Sequence, residues 1–256
     1  MKVRVLPHPP FYRRQMIHKH KVNDKFFDKW SADMAYVLGY FFGDGCIYKN
    51  KGGSKRVIFC GHQDDEEFLK KLASIIGCSA LVSQSKRSKC CRFEFVSARM
   101  FDRLYSLGKR KRLVCPKVPR EFIRDFVRGY IDSDGCVGFV KSEYYKTLSS
   151  GYKKLYCYNK LVVQMTSKDI GFLCKLEKYI RGLGFKKANI HGNQYFSVYY
   201  YRLHAQRLVD LIYYKNCLAL TRKLLQVRLI GRTVGFEPKN RGSSPRPVAN
   251  AVSTNR

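Results

Sequence analysis

The sequence predicts an internally duplicated α+β fold, two copies of the order helix–strand–strand–helix–strand–strand–helix. Three observations lead there. Residues 37–45 read VLGYFFGDG and residues 127–135 read VRGYIDSDG, so two nonapeptides share small residues at places three and seven, Asp at eight and Gly at nine. Apolar residues at helical spacing alternate with strand-like runs in the same order in both halves. Matched positions stay almost evenly spaced: 90 residues from Asp44 to Asp134, 104 from Phe68 to Phe172 and 112 from Arg110-Lys111 to Arg222-Lys223. Insertions in loops account for that drift.

Residues 1–30 read as a basic N-terminal arm, with Phe26, Phe27 and Trp30 tying its end to the fold. The first repeat spans 31–118. Ser31 is suited to cap its first helix, with Asp33 in the first turn. That helix runs to Asp44, where Gly45 stops it. Strands at 46–49 and 55–60 flank an Asn-Lys-Gly-Gly turn. In 64–76, Phe68, Leu69, Leu72, Ile75 and Ile76 share one helix face. A second hairpin joins 80–85 to 90–97 around a basic tip, and 98–107 is helical. The second repeat spans 119–232. Pro119 opens a helix ending at Asp134, strands follow at 136–141 and 155–166, then a helix at 169–182, a hairpin at 189–201 and a helix at 204–214. Its extra length is assigned to a loop at 142–154. The Gly-, Ser-, Pro- and Arg-rich stretch 233–256 reads as a disordered tail.

Fifty Lys and Arg against 19 Asp and Glu give a formal charge of +31. Such an excess repels itself, and a polyanionic partner offsets it. The basic residues are spread among Tyr and Phe on a folded scaffold, which favours nucleic acid over a membrane surface. Ten Cys contain no CxxC pair, as expected of reduced thiols in an intracellular protein. No apolar run reaches membrane-spanning length and no signal-peptide core opens the chain, so no membrane partner is expected.

The repeated nonapeptide has a physical reading. Gly39 and Gly43 lie four apart on one helix face, and Gly129 and Ser133 repeat the spacing. Small residues there let two helix backbones approach closely as a helix interface. Asp44 and Asp134 then meet at two helix C-termini, where a carboxylate is unfavourable by roughly 0.3–1 kcal/mol. Two adjacent carboxylates call for a cation between them. Oxygen-only ligation with room for water and phosphate favours Mg²⁺, and such a pair suits metal-assisted phosphodiester hydrolysis.

Both segments, with their surroundings FFDKWSADMAYVLGYFFGDGCI (26–47) and VPREFIRDFVRGYIDSDGCVG (118–138), resemble the motif of the LAGLIDADG homing endonucleases, and the likeness covers about residues 25–230. The departures are Gly43 for the usual Ala and the bulkier Tyr40 and Phe42. The resemblance implies pseudo-twofold symmetry, with two four-stranded antiparallel sheets forming a DNA-binding saddle. It also implies a monomeric endonuclease that cuts both strands of a long asymmetric duplex. Asp44 and Asp134 would hold two or more Mg²⁺ ions, assisted by the carbonyls of Gly43 and Ser133. Lys111 and Lys223, each after an Arg, would stabilise charge on the phosphate. Gln63 and Ser167 would position water. The alternatives are an intron RNA maturase and a catalytically silent DNA-binding regulator of the same fold.

Strand alternation selects a DNA face. Lys49, Arg56, Gln84, Lys86, Arg87, Arg92 and Glu94 are its candidates in the first repeat. Tyr156, Tyr158, Lys160, Gln164, Asn193, Gln194, Tyr195, Ser197 and Tyr199 are those in the second. Leu155, Cys157, Leu161, Val163 and Met165 are expected to point to the core. Arg, Gln, Asn and Glu read base edges, whereas Lys mainly meets phosphates.

Overall fold

The structure, a computed structural model, describes residues 20–85, 88–147, 149 and 151–234, without the side chains at 154, 156, 158 and 229–234. Residues 1–19 of the arm, Lys86, Arg87, residues 235–256 of the tail and the side chains of Tyr156 and Tyr158 lie outside the described set.

The first copy runs α1 (Ala32–Asp44), β1 (Gly45–Lys49), β2 (Lys55–His62), α2 (Glu66–Ile76), β3 (Ser83–Gln84), β4 (Cys90–Val96) and α3 (Ala98–Ser106). The second runs α4 (Ile123–Asp134), β5 (Gly135–Thr147), β6 (Lys153–Ser167), α5 (Ile170–Gly182), β7 (Ile190–His191), β8 (Phe196–Tyr201) and α6 (Arg202–Ile212), and adds α7 (Thr221–Val234). Short 3-10 turns precede α2 and α4, at Gln63–Asp65 and Arg120–Phe122. Each copy forms a four-stranded antiparallel sheet, in the orders β1-β2-β4-β3 and β5-β6-β8-β7.

Local chemistry explains the ends of α1. The Ser31 hydroxyl accepts the Met34 N–H at 3.1 Å, meeting one orphan donor of the first turn. Gly45 ends the helix in extended backbone (φ −95°) and opens β1 directly, with no left-handed cap. A Cβ there would lie 2.1 Å from the Phe41 ring, so glycine is required by space. The arm's last turn is anchored as expected: Phe27 is fully buried and Trp30 stacks on Phe122 with centroids 6.4 Å apart.

One core spans both copies. Phe68, Leu69, Leu72 and Ile76 of α2 are buried with Val57, Phe59, Phe93 and Phe95 of the first sheet. Phe172, Leu173, Leu176 and Ile180 of α5 are buried with Val163, Met165 and Val198 of the second. Phe42 of α1 stacks on Phe172 of α5 (5.4 Å, 12°) and meets Phe126 of α4 edge-on at 5.8 Å, joining the halves.

Three expectations need correction. The 142–154 loop is largely strand: β5 and β6 pair continuously from Gly135↔Met165 to Thr147↔Lys153. Leu155 and Cys157 are therefore exposed, because β8 pairs with β6 only between Val162 and Ser167. The basic pair Arg222-Lys223 sits in the first turn of α7, which periodicity had not revealed, instead of in a turn after the last helix. Among the described residues no helix is long and apolar enough to cross a membrane.

Candidate metal centre and nucleic-acid face

Helices α1 and α4 touch backbone to backbone. A Cβ on Gly39 would sit 2.1 Å from the Phe126 carbonyl oxygen, and one on Gly129 would sit 2.0 Å from that of Tyr36. At the far end, a Cβ on Gly43 would lie 2.1 Å from Ser133 Oγ and 3.1 Å from the Asp134 nitrogen. Ser133 stays compact because its hydroxyl donates back to the Tyr130 carbonyl at 3.0 Å. The four small positions therefore make the interface that their spacing predicts, and the last residues of both helices are Asp44 and Asp134.

Asp44 is half-buried, while Asp134 reaches solvent. Burial, reinforced by the charge of Asp134, pushes the Asp44 carboxyl up to about 6. Burial also raises Asp134, against the opposing pull of Lys109 and Lys223. Two lysines reach in from opposite copies. Lys109 Nζ donates to the Phe42 carbonyl at 2.9 Å and lies over the Phe41 ring at 5.5 Å. Lys223 Nζ donates to the Ile131 carbonyl and, at 2.7 Å, to that of Gly135. Each ammonium occupies the negative end of a motif helix, where a cation is favoured. Burial lowers both, Lys109 to about 8.

The basic residue beside the acids in the first copy is thus Lys109, while Lys111 is exposed. Gly108 decides between them. Its φ of +113° and its bond from the Val114 N–H (3.0 Å) close a tight turn at the start of the GKRKR run. The matching of Gln63 with Ser167 also shifts. Gly45 pairs with Phe59 and Gly135 with Met165, so Gly61 is the counterpart of Ser167. The matched Tyr hydroxyls agree, Tyr40 donating to the Cys60 carbonyl (2.8 Å) and Tyr130 to that of Thr166 (2.5 Å). Gln63 is exposed in the 3-10 turn that the first copy inserts before α2. Ser167 is buried, its hydroxyl accepting the Asp169 N–H at 3.1 Å. It lines a cleft of about 340 Å³ together with Gly43, Lys109, Asp134, Thr166 and Tyr195.

A buried polar network, not expected from the sequence, holds the other face of α4. Asp132 accepts from Tyr36 (2.6 Å), Tyr213 (2.6 Å) and the Leu220 N–H (2.7 Å). Arg128, 1% exposed, donates to Asp125 (2.8 Å) and to the carbonyls of Ile212 (2.7 Å) and Leu218 (2.8 Å). Together they fix residues 212–220, the segment leading into α7, and so aim Lys223. Arg222 Nε then bonds both oxygens of buried Asp65 at 3.0 and 3.1 Å, clamping α7 to the first copy. Asp132 was visible inside the second motif, but nothing local distinguished it from a solvated residue.

The sheet faces gather most of the candidate DNA contacts that the structure describes. Gln164 Nε2 lies within 3.2–3.3 Å of Thr166, Ser197 and Tyr199 side-chain oxygens. Tyr199 stacks on Tyr201 at 5.8 Å, and Lys160 lies over the Tyr201 ring at 4.6 Å, which adds Tyr201 to this face. Lys168 lies over Tyr195 at 4.9 Å. In the first sheet Arg56 pairs with Glu94 and lies 5.9 Å from the Tyr48 ring, and Arg92 is exposed on the same face. Lys49 does not belong to it: it pairs with Lys55 in the register of buried Val57 and Phe59, so it lies on the helix side of the sheet, where Lys55 meets Asp102 of α3. Gln84 is likewise off this face: it pairs with buried Cys91 and donates to Glu66 of α2, on the helix side of the sheet. Asn193 accepts the Gln194 N–H at 2.7 Å, and both are exposed beside β8. Among the described residues no three His, Cys, Asp or Glu converge as a metal cage. The acid pair would have to complete its shell with carbonyls, water or phosphate.

Comparison with known proteins fits this geometry. No protein-family model matches the sequence. Elongation factor 2 of Methanopyrus kandleri is 28% identical over 114 residues, 41% of this chain and 8% of its own length. The probable translation initiation factor IF-2 of Methanocaldococcus jannaschii is 27% identical over 126 residues, 44% of this chain and 10% of its own. The chain thus spans about a tenth of the length of the curated relatives it matches. Among solved structures, the LAGLIDADG homing endonuclease I-LtrWI bound to target DNA superposes with a TM-score of 0.56 at 11% identity, covering 83% of this chain and 92% of its own. The meganuclease I-AabMI bound to uncleaved DNA also gives 0.56, at 9% identity over 78% and 90%. I-DmoI in complex with DNA and Ca gives 0.53, at 16% identity over 77% and 97%. The chain has the fold of the LAGLIDADG homing endonucleases.

Proposed function

We propose that the chain is a site-specific homing endonuclease that hydrolyses one phosphodiester bond in each strand of a long asymmetric duplex. The observation carrying this reading is the meeting of Asp44 and Asp134 at the ends of two touching helices, with Lys109 and Lys223 beside them. A single chain supplies both acids, so a monomer suffices.

The donor set fits a hard divalent cation: two carboxylates, Asp44 being raised by its burial and by the charge of Asp134, with no cage of thiols or imidazoles among the described residues. Asp44 and Asp134 would hold Mg²⁺, with the carbonyls of Gly43 and Ser133 as further donors. When bound, the metal supplies an activated water and charge neutralisation at the scissile phosphate. The chain's own groups do the rest. Lys109 and Lys223 are pre-positioned on helix carbonyls and put positive charge where the phosphate becomes more negative. Ser167 and Thr166 offer hydroxyls to water at the cleft wall. The polar faces of both sheets, in a +31 chain, hold and read the duplex.

The test is incubation of the purified chain with duplex DNA spanning the unoccupied insertion site of its gene, with Mg²⁺ or with EDTA. Double-strand cleavage with Mg²⁺ alone, lost in Asp44→Asn/Asp134→Asn, is expected. No cleavage by the wild type, or equal cleavage by the double variant, rejects the reading.

A further inference from the structure

The two sheets differ in one large feature. Strands β1 and β2 pair over five positions, from Gly45↔Phe59 to Lys49↔Lys55. Strands β5 and β6 pair over thirteen, from Gly135↔Met165 to Thr147↔Lys153. Only the base of that longer hairpin belongs to the sheet, because β8 meets β6 no further out than Val162↔Tyr201. Beyond it a two-stranded ribbon projects alone. Every residue from 143 to 147, together with 151–153, 155, 157 and 159, is exposed. A two-stranded ribbon whose described side chains are mostly exposed is marginal in water by itself, so it needs something to lie against.

Its chemistry says what. The sequence 141–160 carries five Lys, five Tyr and one Glu, and that Glu143 is paired with Lys141 at 2.6 Å. The ladder is continuous, so the face that holds Gln164 runs on through Lys160, opposite Val140, to Tyr144 and Lys146, opposite positions 156 and 154. Core-type residues on the other face give way to exposed Tyr145 (69%) and Leu155 (37%). Lysine and tyrosine on a continuous, twisted ribbon match a nucleic-acid backbone, and a two-stranded ribbon fits a DNA major groove. The matching hairpin of the first sheet, β1–β2, closes earlier, in the turn 50–54.

We propose that residues 140–160 form an arm that follows duplex DNA beyond the second sheet and lengthens the target on that side only. This rests on the DNA-cleaving reading above and adds a property to it, an unequal division of the site between the two halves. The eight extra pairs, at about 3.4 Å each, reach roughly 27 Å, or about eight base pairs of B-DNA. Twist shortens this, so an extension of about five to eight base pairs is expected.

The experiment starts from ligands enriched by the full chain from randomised duplex DNA and, separately, randomised RNA. Hydroxyl-radical footprints on the enriched duplex are compared for three proteins. The first is the wild type. The second replaces residues 142–158 by Asn-Gly, closing the Lys141↔Asn159 pair with a two-residue turn. The third, Lys146→Ala/Lys160→Ala, removes two lysines of the proposed DNA face, keeps the ribbon and guards against misfolding of the deletion. The deletion should lose about five to eight base pairs of protection at one end while still binding, and the double variant should flatten the log K against log salt slope by up to about 2. A footprint and salt slope unchanged in both variants overturns the arm and leaves the endonuclease reading standing. Enrichment of RNA alone, or of neither pool, overturns both.

Discussion

Gly39→Ala tests the helix contact on which the candidate centre depends. An added Cβ would lie 2.1 Å from the Phe126 carbonyl oxygen and 3.0 Å from the Tyr130 nitrogen, whereas real Cβ atoms essentially never come within 3.0 Å. Both obstacles are backbone, so no rotamer relieves the overlap, and α1 must part from α4 by about 1 Å. Overpacking of this kind costs about 1–3 kcal/mol. Alanine regains about 1 kcal/mol of helix propensity over glycine, leaving a net loss of about 0–2 kcal/mol. Gly129→Ala meets the mirror-image obstacle at 2.0 Å from the Tyr36 carbonyl. Once the helices have parted for one alanine the second finds room, so the double variant should lose less than the sum. Gly171→Ala in α5 is the control, because nothing lies within 4 Å of its Cβ; it should gain about 0.4–1 kcal/mol. Urea unfolding at constant m reads all four. If Gly39→Ala gains stability like Gly171→Ala, the close backbone contact is wrong and the pairing of Asp44 with Asp134 loses its basis.

The remaining predictions concern the groups around that contact. Lys109→Met should cut the rate of Mg²⁺-dependent cleavage about 10²-fold, the usual scale for a lost charge-stabilising donor, while Lys111→Met should leave kcat near wild type; equal effects would return the role to the exposed residue. Asp132→Ala strands two buried tyrosine hydroxyls and the Leu220 N–H, and should lower unfolding stability by about 3 kcal/mol or more. In metal-free buffer the raised Asp44 carboxyl binds its proton more tightly folded than unfolded. Its contribution therefore favours the native state at low pH and is lost as pH climbs from about 4 to about 6. The rise from 3.8 to about 6 corresponds to about 3 kcal/mol at most. Thermal unfolding across that window should be steeper for the wild type than for Asp44→Asn, and Mg²⁺ should remove the difference.

Much of the fold was legible because its signals are local. A Ser ahead of an apolar run caps a helix within three residues, as Ser31 does for Met34. Small residues four apart mark a helix face wherever they occur, and the i, i+4 pattern of Gly39, Gly43, Gly129 and Ser133 named the interface and placed both aspartates at its end. The sheets followed from alternation: Val57, Phe59, Val163 and Met165 are all buried. Duplication doubled each signal.

The sequence by itself therefore determined the repeated architecture, the touching helices and the acid pair, since periodicity and small-residue spacing act within a few residues of chain. Only the tertiary structure decided which base stands beside the acids. Lys109, Lys111 and their arginine neighbours are chemically interchangeable in sequence, and the left-handed turn at Gly108 picks one by direction. It likewise decided that Gly61, not Gln63, corresponds to Ser167, because strand register is set across the sheet, while the inserted 3-10 turn shifts the count along the chain. The long-range bonds of the Asp132 and Arg128 network join residues 81 to 96 positions apart, and such separations leave no periodic trace. Residues 142–147 and 153–154 looked like loop because their described side chains are mostly exposed; they pair as strands because the backbone hydrogen bonds of a hairpin do not require a core.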